Sequence, residues 1–247
     1  MPHPVCRICG SSASYPPRVA GTSTESPAGG FLSRLHPRDR AELTGAGHPR
    51  RYPRGAYLIV QGDHSDTVFL LVAGRVKISL VTLDGRETVL AVDGPGDLLG
   101  VFEAIDHDGG PRAASNTALE PVECRVITGE EFRGFLDSHP RVVPDLLRWI
   151  IHRLRTADRR RIDTGSLDVA QRLALLLLEL ADQHGQPDAN GIEIDIPLTQ
   201  ADLASLIAAS RDAVVRALTT LRSHMLITTA RRKITITDIA GLRRYPR

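Results

Sequence analysis

The stretch Pro197 to Thr237, PLTQADLASLIAASRDAVVRALTTLRSHMLITTARRKITIT, decides how the C-terminal part of this chain folds. Thr199 stands just ahead of a periodic run with Asp202 three residues on, the capping-box spacing that opens a helix. Leu203, Leu206 and Ile207 then face one way. Ser210 offers a second N-cap, and Val214, Ala217, Leu218 and Leu221 recur at helical spacing, so they form a buried stripe. Arg211, Asp212, Val215, Arg216 and Thr219 are left on the outer surface. The turn between two such helices usually takes a glycine in its left-handed position, and here only Ile207, Ala208 and Ala209 are present. An alanine there costs about 1 kcal/mol, which a packed motif tolerates.

An exposed helix start with two arginines and a carboxylate fits the major groove. The arginine fork matches guanine O6 and N7, and the carboxylate accepts from cytosine N4. Downstream, Leu226–Thr229 and Ile234–Thr237 alternate as short strands around Arg231-Arg232-Lys233, a basic hairpin suited to the duplex backbone. The pattern predicts a winged helix-turn-helix that presents Thr199, Gln200, Ser210, Arg211, Asp212, Arg216, Arg231, Arg232 and Lys233 to double-stranded DNA. A plain helical hairpin with solvated charges is the alternative, and the agreement of cap, turn, outer face and wing favours DNA.

The remaining composition bounds the rest. A chain of 247 residues with 42% apolar content is one large or two ordinary domains with a real core. The longest apolar run, Leu173 to Leu178, is closed by Arg172 and Glu179 and is too short to span a bilayer. Met1 to Ala20 has no continuous apolar segment of the signal-peptide kind, so a cytoplasmic protein without a membrane partner is expected. The net charge of +2 hides an asymmetry. Acids outnumber bases from Gly55 to Ser138, whereas Thr199 to Arg247 carries nine arginines and lysines against Asp202, Asp212 and Asp238. Contact with a polyanion therefore belongs to the C-terminal part.

Residues 1–30 are rich in Pro, Ser and Gly and read as irregular, with one pointed feature, Cys6-Arg7-Ile8-Cys9-Gly10. Two cysteines at this spacing can turn both sulfurs to one metal, and Cys124, the third cysteine of the chain, is a candidate partner. Short β-type runs follow at Ala56–Val60, Thr67–Val72, Arg75–Val81, Glu87–Val92, Arg112–Ala118 and Val122–Ile127, punctuated by Asp84-Gly85 and Gly94-Pro95-Gly96. Such spacing predicts an antiparallel barrel or roll and an α+β chain. The glycines read as turn chemistry. With no phosphate-binding glycine loop and no Ser/His/Asp set, the sequence points away from an enzyme.

Gly129 to Ser138 reads as a short helix. A long one is expected from Val142 to about Ile162, with Leu146, Leu147, Ile150, Ile151 and Leu154 as a stripe that either pairs with its copy in a dimer or packs on the roll. Asp163-Thr164-Gly165-Ser166 is expected to break it, with Ser166 capping the next helix, Leu167 to His184. The expected layout is an N-terminal segment 1–30, a roll 31–138, a linking helix and hinge 139–165, and a DNA-binding unit 166–247.

In this order, roll, long helix and winged helix resemble the cyclic-AMP receptor protein / fumarate-nitrate reduction regulator family of bacterial transcription factors. Gly96-Asp97-Leu98-Leu99-Gly100, Leu167-Asp168-Val169 with Arg172, and Ser210-Arg211-Asp212-Ala213-Val214-Val215-Arg216 carry the resemblance. The last resembles the family's S-R-E-T-V-x-R motif with an aspartate for the glutamate. The resemblance implies a homodimer on a pseudo-palindromic operator, with RNA polymerase as a partner, and base reading by Arg211, Asp212 and Arg216.

It also implies an effector position at Gly100, Glu103, Arg112 and Ala113. Cyclic-AMP binders of the family have a glutamate directly after the glycine and a hydroxyl after the arginine, where this chain has Val101 and Ala113, with Glu103 displaced by two positions. Val101-Phe102-Glu103-Ala104-Ile105 is similar to the oxygen-sensing branch, which holds an iron–sulfur cluster. By that likeness Cys6, Cys9 and Cys124 are candidate cluster ligands, with His3, Asp106 and His107 as candidates for a fourth. Zinc on the same residues, a Cys6–Cys9 thiol switch, a cyclic nucleotide, or no effector remain open at this point.

Overall fold

A computed structural model describes residues 30–106, 110–230 and 232–245. The first part comprises a 3-10 turn (Phe31–Arg34), α1 (Pro37–Gly45), β1 (His48–Tyr52), β2 (Tyr57–Ile59), β3 (Val68–Ala73), β4 (Val76–Val81), β5 (Glu87–Asp93), β6 (Leu98–Leu99), α2 (Val101–Ile105), β7 (Ser115–Ala118), β8 (Val122–Ile127) and α3 (Gly129–Ser138). The strands form two four-stranded sheets, ordered β1-β8-β3-β6 and β2-β7-β4-β5, with every pairing antiparallel. This is the roll.

The apolar run of β3 explains how the roll is filled. Phe69 and Leu71 point between the sheets, where they meet Tyr52, Leu58, Ile59, Val76, Val122 and Val126. Val68 and Leu70 point the opposite way, onto Phe31, Leu43, Phe132, Phe135, Leu146 and Trp149. A strand covered on both faces has no use for polar alternation, so four apolar residues run in succession.

Two strands and one helix lie outside the sequence expectation. In β1, HPRRY, only Tyr52 is buried, because β1 is an edge strand whose other residues face solvent. β6 is two residues long, too short for a period to register. α1 buries only Asp39 and Leu43, and it is tied down by Arg141, which donates to both oxygens of Asp39 at 2.7 Å.

The second part consists of α4 (Val142–Ser166), α5 (Val169–His184), β9 (Gln186–Asp188), β10 (Gly191–Ile194), α6 (Gln200–Leu206), α7 (Arg211–Ser223), β11 (Ile227–Ala230), β12 (Lys233–Ile236) and α8 (Ile239–Arg244). α4 corrects the expected break. Thr164 and Ser166 donate their hydroxyls back to the carbonyls of Arg160 and Ile162, which keeps both residues helical, and the helix ends only at Ser166. The next cap is Asp168, not Ser166. Its carboxylate accepts from the Gln171 amide at 2.8 Å while the Gln171 side chain accepts from the Asp168 amide at 2.9 Å.

The expected stripe on α4 divides in two. Val142, Leu146 and Trp149 close the core under α1 and α3, whereas Val143, Leu147, Leu154 and Ile162 stay exposed. Among the described residues no helix is long and apolar enough to cross a membrane.

Candidate nucleic-acid interface

α5, α6 and α7 wrap one core around Leu173, Leu177, Leu203, Val214, Leu218 and Leu221. α6 starts as its sequence requires. The Thr199 hydroxyl accepts from the Asp202 amide at 3.1 Å, and Asp202 Oδ2 accepts from the Thr199 amide at 2.8 Å and its hydroxyl at 2.7 Å. Ala208 takes the left-handed turn position with φ +50°, closed by the Ala209 amide donating to the Ala204 carbonyl at 2.8 Å. Ser210 then accepts from the Ala213 amide at 3.2 Å and starts α7.

α7 buries Val214, Ala217, Leu218 and Leu221 and exposes Arg211, Asp212, Val215, Arg216 and Thr219. No hydrogen bond or ion pair joins the side chain of Asp212 or Arg216 to another described residue, so both are available to an external partner. Arg211 leans back, Nε donating to Gln200 Oε1 at 3.4 Å, which draws the first residues of α6 and α7 to one surface.

The wing forms with Ala230 paired to Lys233 and Arg232 in the left-handed region at φ +63°. Arg231 lies outside the described residues. Lys233 differs from expectation in its surroundings. Its ammonium bonds Glu193 at 2.9 Å and stands 3.5 Å from Asp195, and the Glu193 hydrogen bond holds it above the ordinary lysine range. Arg232 is the exposed cation of this hairpin among the described residues. Sequence reasoning passed over Arg222. It reaches from α7 to the wing, donating to Thr229 at 3.2 Å and Thr219 at 3.0 Å, and with Arg232 it rims a groove of about 230 Å³ floored by Leu180, Ile196 and Leu218. The Arg222–Thr219 spacing of three residues on one helix face was the available signal.

This unit is docked on the roll through β4 and β5. Val89 and Val92 enter its core. Ser205 Oγ of α6 accepts from the Val89 amide at 2.6 Å, Lys77 donates to Asp202 Oδ1 at 3.2 Å, and Arg75 donates to the Asp195 carbonyl at 2.8 Å. From α4, Arg153 donates to both oxygens of Asp93 at 2.9 Å, and Arg160 donates to the Leu90 carbonyl at 2.7 Å.

In the roll, Gly100, Glu103, Arg112 and Ala113 do come together. Arg112 is 2% exposed. Its Nε donates to Ser65 Oγ at 3.0 Å, Nη2 to the Thr67 carbonyl at 2.6 Å, and Nη1 to the Gly100 carbonyl at 3.1 Å and Glu103 Oε2 at 2.9 Å. Glu103 Oε1 accepts from the Ala113 amide at 3.3 Å. Gly100 has φ +75°, and a Cβ there would stand 2.5 Å from Arg112 Nη1, so the guanidinium needs a glycine at this point.

The cysteine candidates fare differently. Cys6, Cys9, His3 and His107 lie outside the described residues, and Asp106 caps the end of α2. Cys124 on β8 is buried between the two sheets, its thiol 3.6 Å from the Arg50 carbonyl, and burial pushes its pKa up to about 11. Cluster and zinc ligands are thiolates, and this site favours the neutral thiol, so Cys124 does not fit that use. Among the described residues no three His, Cys, Asp or Glu side chains gather as a metal site.

A family model described as "Cyclic nucleotide-binding domain" matches residues 49–139, and one described as "Crp-like helix-turn-helix domain" matches residues 171–245. The chain is 31% identical over 218 residues to a Mycobacterium tuberculosis protein named "CRP-like cAMP-activated global transcriptional regulator", covering 88% of this chain and 96% of that one. It is 31% identical over 186 residues to the Pseudomonas aeruginosa "cAMP-activated global transcriptional regulator Vfr", covering 73% of this chain and 85% of the relative. The solved structure of FixK2 from Bradyrhizobium japonicum superposes with a TM-score of 0.70 at 19% identity, over 80% of this chain and 96% of that one, a likeness of fold. Roll, linking helix and winged helix-turn-helix thus place the chain in the cyclic-AMP receptor protein / fumarate-nitrate reduction regulator family of DNA-binding transcription regulators.

Proposed function

We propose that the chain works as a homodimer that binds a pseudo-palindromic operator and presents it to RNA polymerase, with Arg211, Asp212 and Arg216 reading base edges in the major groove. The observation that carries this reading is the division of α7, whose buried stripe fixes the helix while the opposite face keeps Asp212 and Arg216 unpaired toward solvent. Dimerisation is supported by the exposed apolar row Val143, Leu147, Leu154 and Ile162 on α4. Two copies related by a two-fold axis read half-sites about one helical turn apart.

For the signal, we read the roll as a domain built on anion recognition at Arg112. The cyclic nucleotide-binding family model and the relatives named as cAMP-activated support this reading, and the buried, protonated Cys124 weighs against a redox-labile metal centre. The division into a roll, a linking helix and a DNA-binding unit follows the same logic of sensor, lever and reader.

Selection of binding sites from a random duplex pool tests the main reading. A two-fold symmetric motif is expected, and Arg216→Ala is expected to lose about 1–3 kcal/mol and to relax one base position per half-site. Equal weakening on every sequence would reduce Arg216 to a phosphate contact.

A further inference from the structure

We propose that Glu103 is a built-in anion that fills the ligand-anion position of the roll, so that this chain as it stands does not take up a cyclic nucleotide through Arg112. The inference rests on the reading of the roll as an anion-recognition domain. Its starting point is the accounting of one guanidinium. Arginine has five N–H donors, and four of those of Arg112 are already spent on Ser65, Thr67, Gly100 and Glu103. Three acceptors are neutral oxygens that fix the plane of the group. The fourth is the carboxylate that balances its charge.

The geometry of that carboxylate is that of an anionic ligand. One oxygen takes the guanidinium proton at 2.9 Å and the other takes the backbone amide of Ala113 at 3.3 Å. A bound phosphate monoanion would need the same two donors, a charged fork and an adjacent amide. Arg112 is 2% exposed, and the Glu103 side chain, 13% exposed, stands over it. An incoming anion can therefore reach Arg112 only by expelling Glu103. Were Glu103 to stay near, two negative groups would share one cation in a site with little solvent to screen them. Glu103 is held in place by α2, whose first residue follows the left-handed Gly100, and Gly100 in turn lets the guanidinium approach. Sequence position alone does not suggest the pair, since the two residues are nine apart across a loop.

Isothermal titration calorimetry on the full chain tests this, with cyclic AMP and inorganic phosphate as probes and wild type, Glu103→Ala and Glu103→Gln as proteins. Wild type is expected to show no saturable heat with either probe. Glu103→Ala is expected to gain binding by at least about tenfold. Glu103→Gln keeps the side-chain volume, removes the charge and is expected to gain in the same direction, which guards against a misfolded alanine variant. Operator binding by wild type, followed by fluorescence anisotropy, is expected to be the same with and without cyclic AMP. Micromolar binding of cyclic AMP by wild type would overturn the assignment of Glu103 while leaving the anion-recognition reading intact. Silence of both variants toward both probes would overturn the two together.

Discussion

Asp202 is shared between two structures at once: its Oδ2 caps the start of α6 at Thr199, and its Oδ1 receives Lys77 of β4 at 3.2 Å. The first helix of the DNA-binding unit is thus started by the same carboxylate that fastens that unit to the roll. Both partners are largely buried, with side-chain exposures of 14% and 11%, so the pair is more than a solvated surface contact. Lys77 also reaches Glu87 at 2.9 Å, and these two acids hold its ammonium above the ordinary lysine range against the opposing effect of its burial.

The two roles separate by substitution. Asp202→Asn is expected to lower stability by about 1–2 kcal/mol, through a weaker cap together with the lost ion pair. Lys77→Ala removes only the fastening. In hydrogen exchange, the Val89 amide, which donates to Ser205, is expected to exchange faster in Lys77→Ala while the amides of α7 keep their protection. Equal acceleration in α7 would mean that the pair stabilises the whole unit.

Ala208 sits at φ +50°, where a β-carbon is unfavourable. Ala208→Gly removes that strain but frees the unfolded chain, and the net expectation is a gain of about 0.5–1 kcal/mol in thermal denaturation. Operator affinity is expected to stay unchanged, because the buried faces of α6 and α7 are untouched.

The exposed row on α4 predicts where self-association resides. Leu147 and Leu154 are 55% and 60% exposed, and each lies on the helix at spacing suited to a two-stranded seam. Leu147→Glu with Leu154→Glu is expected to shift sedimentation from dimer to monomer and to abolish tight operator binding while circular dichroism stays the same. A monomeric wild type would remove the basis of the two-half-site reading.

Asp97 predicts a pH dependence. Burial first, and then the nearby Asp93 carboxylate, push its pKa from 3.8 up to about 7, against the Gly94 amide, Arg153 and Trp149. The folded state therefore binds a proton that the unfolded state has released between pH 4 and 7. Stability from this group is fully present below the unfolded value and is lost as pH rises through the folded one. Asp97→Asn is expected to raise the melting temperature at pH 8 more than at pH 5, as read by calorimetry. The Asn keeps an oxygen for the Gly94 amide, which now donates to Asp97 at 3.1 Å.

Legibility in the sequence followed the range of the interaction. α6, α7 and the wing could be read because caps, apolar spacing and turn residues lie within a few positions of one another, and even the left-handed alanine was evident from the lack of glycine. The central strands of the roll were readable from their apolar runs. β1 was not, because an edge strand with solvent on most of its residues has the composition of a loop. The end of α4 misled because Asp-Thr-Gly-Ser has turn composition, and only the back-bonded hydroxyls show why the helix continues. The contacts that define the site most sharply, Glu103 on Arg112 and Lys77 on Asp202, join separate elements and have no local signature at all.

β5 is the outermost strand of its sheet, and its outward-facing backbone is occupied by Ser205 at the Val89 amide and by Arg160 at the Leu90 carbonyl. Any rearrangement that lifts α6 away leaves that amide without its acceptor and uncovers a strand margin beside the apolar Val89 and Val92. Such a margin is a template for adding another chain's strand. A mobile reader in this protein would thus carry an aggregation hazard, and docking α6 on β5 guards solubility as well as setting the position of the DNA-reading helix.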